Sequence, residues 1–135
     1  MHTVIYHNPD CGTSRNTLAL IRACGVEPEI VYYLQTPPNE DKLRSLLAQM
    51  GLSARDVMRT NVPPYAEQGL DNPDLSESEL IAKMCAYPLL INRPIVANEK
   101  GTLLCRPSEK VLTLLPPLPQ VFYKEDGGAV QPLES

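Results

Sequence analysis

A thiol becomes a nucleophile where its surroundings favour the thiolate, and the stretch Tyr6-His7-Asn8-Pro9-Asp10-Cys11-Gly12-Thr13-Ser14-Arg15-Asn16 offers such a place. It joins the short apolar run Val4-Ile5-Tyr6 to a segment whose helical periodicity begins near Ser14. A cysteine at such a helix start meets unpaired backbone N–H groups and the positive end of the helix dipole, and both lower its pKa. Cys11 is the candidate nucleophile. Arg59, Arg93 and Arg106 are the candidates for bringing an oxyanion to it, because a guanidinium stays charged at any physiological pH and grips a tetrahedral anion in a forked geometry. Each stands where one element should give way to another: Arg59 at the end of a short helix, Arg93 before Pro94 between two apolar runs, and Arg106 before Pro107 at a helix start. Arg22, Arg44 and Arg55 fall inside helical segments instead, which predicts that they face solvent.

His7, at the end of the first apolar run, is a candidate either to support the thiolate as imidazolium or to move a proton; the alternative is a solvent-facing or capping histidine. Ser14 and Arg15 are candidates for thiolate support, although Arg15 could equally well lie along the helix without touching the sulfur. The Cys-x3-Arg spacing differs from the Cys-x5-Arg of phosphatase anion loops. Ser14 also occupies the position of the second cysteine in a C-x-x-C pair, so no resolving thiol lies nearby and an external thiol would have to complete any redox cycle. The four cysteines, Cys11, Cys24, Cys85 and Cys105, are widely spaced, which argues against a disulfide framework or a zinc ribbon and predicts no metal site. Cys24 and Cys85 lie on apolar helical faces and read as core. Cys105, beside Arg106 at a strand-to-helix junction, stays open to a structural or a reactive role.

At 135 residues the chain fits one domain, expected to span 1–135 with a helical insertion over about 39–87 and an extended tail over about 116–135. A net charge of −4 and a pI near 5.1 supply no basic stripe, so nucleic acid and membrane surfaces are not expected partners. With no secretory pattern and no long apolar run, the expected location is cytoplasmic.

Thr3 to Tyr6 reads as a strand, Thr17 to Cys24 as a helix closed by Gly25, and Glu29 to Tyr33 as a second strand, parallel to the first through a right-handed crossover. Leu43, Leu46, Leu47 and Met50 repeat at helical spacing up to Gly51; Ser53 to Asp56 should cap a short helix that turns Val57 and Met58 inward. Thr60 to Asp74 reads as irregular. Ser76-Glu77-Ser78-Glu79 is a capping box, with Leu75 and Leu80 as a hydrophobic staple, for a helix burying Leu80, Ile81, Met84 and Cys85. Ile95 to Ala97 and Thr102 to Leu104 should form a hairpin about Gly101, with a cis peptide possible before Pro94. A last helix should carry Val111, Leu112, Leu114 and Leu115, with Pro107 at its first position. Prolines and glycines from Pro116 onward argue against a further regular element, and the final residues should be poorly ordered.

The order β, α, β, helices, β-hairpin, helix is that of an α/β, thioredoxin-like fold with a mixed four-stranded sheet flanked by helices and carrying a helical insertion. Tyr6-His7-Asn8-Pro9-x-Cys11-Gly12-Thr13-Ser14-Arg15-Asn16-Thr17-Leu18, Tyr33-Leu34-x-Thr36-Pro37-Pro38, Leu90-Ile91-Asn92-Arg93-Pro94-Ile95-Val96 and Leu104-Cys105-Arg106-Pro107-Ser108-Glu109 closely resemble the glutaredoxin-coupled arsenate reductases, from about residue 3 to 127. The resemblance implies an oxidoreductase of arsenical resistance. Cys11 takes the nucleophile position, Arg59, Arg93 and Arg106 the oxyanion-binding positions, and His7 the position that assists the thiolate. It also implies arsenate as substrate, glutathione as co-substrate, glutaredoxin as protein partner and no tightly bound cofactor. Two other readings use the same residues: a general glutathione-linked thiol oxidoreductase acting through Cys11 alone, and an Spx-like redox regulator that binds RNA polymerase without catalysis. Ser14 weakens the regulator, because Spx-like proteins commonly sense redox state through C-x-x-C.

Overall fold

The computed structural model describes residues Met1 to Leu133. They form two compact units, one made of residues 1–31 with those from Arg93 onward, the other of Tyr32–Asn92.

The first unit is built on a mixed four-stranded sheet in the order β2-β1-β3-β4, with β1 at Val4–His7, β2 at Glu29–Tyr32, β3 at Ile95–Asn98 and β4 at Gly101–Leu104. β1 pairs antiparallel with β3, setting Ile5 opposite Val96, and β3 pairs antiparallel with β4 across the turn at Glu99-Lys100. β2 reaches the other side of β1 through the helix α1, Gly12–Ala23. That helix starts two residues before the segment expected to carry its periodicity, because Cys11 serves as its N-cap and Arg15 N–H closes the first turn on the Cys11 carbonyl at 2.9 Å. Gly25 follows its C-cap at φ +82°, a conformation that suits glycine. Ile5, Leu20, Ile21 and Val96 meet Val111, Leu112, Leu114 and Leu115 in one buried cluster. Covering sheet and helix in this way removes from water the aliphatic surface that drives folding.

Three expectations need correction here. The last helix is a 3-10 helix, Ser108–Leu114, and Pro107 is its N-cap rather than its first residue. Its apolar side chains still turn inward, since Val111 and Leu114, three apart, fall on one side of a 3-10 helix. The tail is not devoid of regular structure: β5, Phe122–Tyr123, pairs antiparallel with β6, Ala129–Val130, around Gly127 at φ +88°. Phe122 and Val130 give this hairpin an apolar side packed on the core cluster, which proline and glycine content alone did not reveal. The expected disorder of the last residues concerns Glu134 and Ser135, which lie outside the described residues. The peptides Arg93-Pro94 and Arg106-Pro107 are both cis.

The second unit is helical. α2, Glu40–Met50, begins at Asn39, whose side chain accepts from Lys42 N–H at 2.8 Å, and ends at Gly51 with φ +68°. α3, Ala54–Val57, and α5, Glu77–Ala86, each open with a complete capping box, on Ser53 with Asp56 and on Ser76 with Glu79. Leu43, Leu46 and Leu47 of α2 and Leu80, Ile81 and Met84 of α5 are buried, whereas Cys85, expected in the core, is only half-buried. Pro63–Glu67, expected to be irregular, forms a one-turn helix, α4, with proline at its first positions, where a missing N–H costs nothing. Arg55 is exposed as expected, and its guanidinium also donates to the carbonyls of Leu70 at 2.9 Å and Asn72 at 2.7 Å. Replacing Ser76 by Ala removes one half of the α5 capping box and is expected to lower unfolding free energy by about 1 kcal/mol, read as an earlier urea midpoint at unchanged slope.

Candidate active site

The turn after β1 is fixed by its own backbone. Cys11 N–H donates to the Asn8 carbonyl at 3.1 Å, and Asp10 N–H donates to Asn8 Oδ1 at 2.9 Å. These bonds deliver Cys11 to the first turn of α1 with extended backbone angles, φ −104° and ψ 121°, and only 7% exposure. Burial by itself would raise its pKa, yet the thiol is held below its ordinary value. The N–H of Ser14, the charge of Arg93, the guanidinium of Arg106 and the N–H of Thr13 together outweigh desolvation. The two amides act on the sulfur electrostatically, without the geometry of a side-chain cap. Arg106 Nη1 lies 3.9 Å from Cys11 Sγ and also donates to the Arg93 carbonyl at 3.1 Å. The backbone of one arginine thus aims the side chain of the other. Arg93 and Arg106 are both half-buried, so their charges are less screened than surface charges.

Behind the thiolate, Ser14 is fully buried and its Oγ accepts from Asn8 N–H at 3.1 Å. Its hydroxyl hydrogen is thereby available to His7 Nδ1, 2.6 Å away, which on hydrogen-bond grounds leaves the imidazole proton on Nε2. Burial first, then the charges of Arg22 and Arg15, push the His7 pKa down. His7 is therefore a buried ring biased toward its neutral form. The solvent-facing alternative is thereby corrected, since His7 is 4% exposed.

Cys11, Arg93 and Arg106 thus come together in one unit. A model described as the ArsC family matches residues 6–114 of this chain. The chain belongs to the ArsC family. It is 56% identical over 124 residues to the arsenate reductase of Yersinia enterocolitica, covering 91% of this chain and 88% of that one. It is 54% identical over 127 residues to the arsenate reductase of Escherichia coli strain K12, covering 93% and 90%. Among solved structures, the arsenate reductase from Vibrio cholerae superposes with a TM-score of 0.82 at 42% identity, over 85% of this chain and 98% of that one. The thioredoxin-like fold expected from the element order is that of this ArsC neighbour.

Within this ArsC chain the remaining candidates separate. Arg59 belongs to the second unit, where it follows α3 half-buried and its N–H donates to the Leu90 carbonyl at 2.7 Å, next to the bridge between Met58 and Ile91. Its backbone is therefore part of a paired segment, not of a free loop. Arg15 is turned toward the tail, donating to Glu125 from Nε at 2.8 Å and from Nη2 at 3.0 Å, and to the Pro9 carbonyl from Nη1 at 2.7 Å. Sequence reading missed Asn8, which ties the turn together, and Glu125, which meets Arg15. The Asn-Pro-Asp turn chemistry could have signalled the first; nothing local could have signalled the second, 110 residues away. Among the described residues no group of His, Cys, Asp or Glu is arranged to hold a metal ion, and no helix is long and apolar enough to cross a membrane.

The other thiols differ from Cys11 in physical terms. Burial raises the pKa of Cys24 and Cys85, and it pushes Cys105, fully buried with Sγ 3.7 Å from the Leu103 carbonyl, to about 12. Cys105 is thus a core residue of the ArsC fold, held as the neutral thiol. Limited iodoacetamide treatment of the native protein near neutral pH should label Cys11 first and leave Cys105 unlabelled until the protein unfolds, as read by peptide mass mapping. Equal labelling of the two would contradict this assignment.

Proposed function

We propose that this ArsC protein reduces arsenate to arsenite with Cys11 as its only protein nucleophile and with glutathione and glutaredoxin as the source of electrons. The observation that carries the reading is the thiol at the start of α1, held toward thiolate by backbone N–H groups, with Arg106 3.9 Å from its sulfur and Arg93 contributing charge. In the first step Cys11 thiolate attacks arsenic, an As–S bond forms, and one oxygen leaves with two protons as water. The arginines balance the charge of the remaining oxygens, and because they are preorganised they cost little reorganisation as the reaction proceeds.

Arsenic must next gain two electrons. Glutathione displaces a second oxygen of the adduct as water, and the glutaredoxin thiol then attacks the glutathione sulfur, leaving the S–As electron pair on arsenic. The two thiols together lose two electrons and end as one mixed disulfide, while water hydrolyses the remaining Cys11–arsenic(III) bond, releasing arsenite and returning Cys11 as thiolate. The position of Ser14 supports this external route: its hydroxyl is engaged with His7 and Asn8, and it has no thiol with which to resolve an adduct on Cys11. Cys105 does not substitute for one, given its burial. Arg59 is assigned to the oxyanion with Arg93 and Arg106 on the strength of the sequence motif.

Cys11→Ser is expected to reduce arsenite formation in the presence of glutathione and glutaredoxin to background, a loss of about a thousandfold or more. Retained activity would refute the mechanism. Arg93→Lys keeps the charge and loses the fork, and is expected to lower kcat/KM for arsenate by about tenfold or more. Unchanged arsenate kinetics would remove Arg93 from the anion site.

A further inference from the structure

Glu125 sits in the turn of the C-terminal hairpin, far from Cys11 in sequence, yet its carboxylate lies over the residue that follows the nucleophile. A Cβ placed on Gly12 would stand 3.7 Å from both Glu125 Oε2 and Arg15 Nη2. The hairpin is built to hold it there. Phe122 and Val130 pack into the core, Lys124 Nζ pairs with Glu109 at 3.2 Å, and Glu125 N–H donates to Asn16 Oδ1 at 3.0 Å. Glu125 then takes the Nε and Nη2 edge of Arg15 with both carboxylate oxygens, the strongest geometry available to this pair. The remaining Nη1 holds the Pro9 carbonyl, two residues before Cys11.

We propose that Glu125 is a positioning residue: by docking on Arg15 it cancels that guanidinium's charge and holds it against the Pro9 turn, leaving Arg93 and Arg106 as the cations that act on Cys11. The inference rests on the reading of Cys11 as the nucleophile. Without Glu125, the Arg15 cation would be uncompensated one helical turn from the sulfur and able to swing toward an anion there. Charges of both signs surround Cys11, with Arg93, Arg106 and Arg15 on one side of the balance and Asp10 and Glu125 on the other, and His7 biased toward its neutral form. Removing one member of an opposed pair must therefore tip the thiolate in a direction set by the member that stays.

The test uses the rate of Cys11 alkylation by iodoacetamide at about pH 6.5 and an ionic strength of about 10 mM, which needs neither arsenate nor glutathione. Glu125→Gln exposes the Arg15 charge and should speed alkylation about twofold, Arg15→Gln exposes the carboxylate and should slow it by a similar factor, and the double variant should return to the wild-type rate. At about 0.5 M salt the four rates should converge, which a purely structural disturbance would not do. Singles that leave the rate unmoved, singles that shift it in the same direction, or a double variant no closer to wild type than either single would each overturn the inference. A wild-type Cys11 no more reactive than an unperturbed thiol would overturn the reading of the nucleophile itself, and the inference with it.

Discussion

The structure turns on a contest at one sulfur atom. Burial at 7% exposure penalises a thiolate at Cys11, while the N–H groups of Ser14 and Thr13 and the guanidinium groups of Arg93 and Arg106 favour it. The second set prevails because it is fixed before any substrate arrives. The amides belong to the first turn of a helix whose packing against the sheet and the last 3-10 helix is set by the whole core, and Arg106 is aimed by the Arg93 carbonyl. Such a sulfur is shielded from bulk water and still biased toward the thiolate, the combination a nucleophile toward an oxyanion requires.

The same economy explains the polar residues behind it. Buried polar groups are costly unless satisfied, and the Asn8, Ser14 and His7 chain satisfies its members in sequence: amide to hydroxyl, hydroxyl to ring nitrogen. The ring is biased toward its neutral form and acts as a fixed wall under the turn. The tail closes the opposite side through Glu125, so the Cys11 turn is held between a neutral polar network inside and a compensated ion pair outside.

Local signals carried much of the architecture. Capping boxes at Ser53 and Ser76, glycines at 25 and 51, and the apolar spacing of α2 and α5 are readable because helix starts and stops are settled by side chains within four residues of the end. Where the partner is distant, reading failed. Phe122 and Val130 form a hairpin because the core accepts them, and the residues between carry only turn signals. Likewise Cys85 stands next to Met84 on α5, and its half-buried place was decided by what packs on that helix rather than by its own spacing.

For the site, the sequence by itself determined the chemistry on offer: a cysteine at a strand-to-helix turn, a serine where a second thiol would stand, and arginines at element boundaries. These are properties of residue type and short spacing, and they are local. Tertiary structure decided which groups act on the sulfur. It brought Arg106 to 3.9 Å, sent Arg15 to Glu125, buried Cys105 and pushed the His7 pKa down. Those outcomes depend on desolvation and on charges many residues apart in the chain, quantities that exist only once the chain has folded around them.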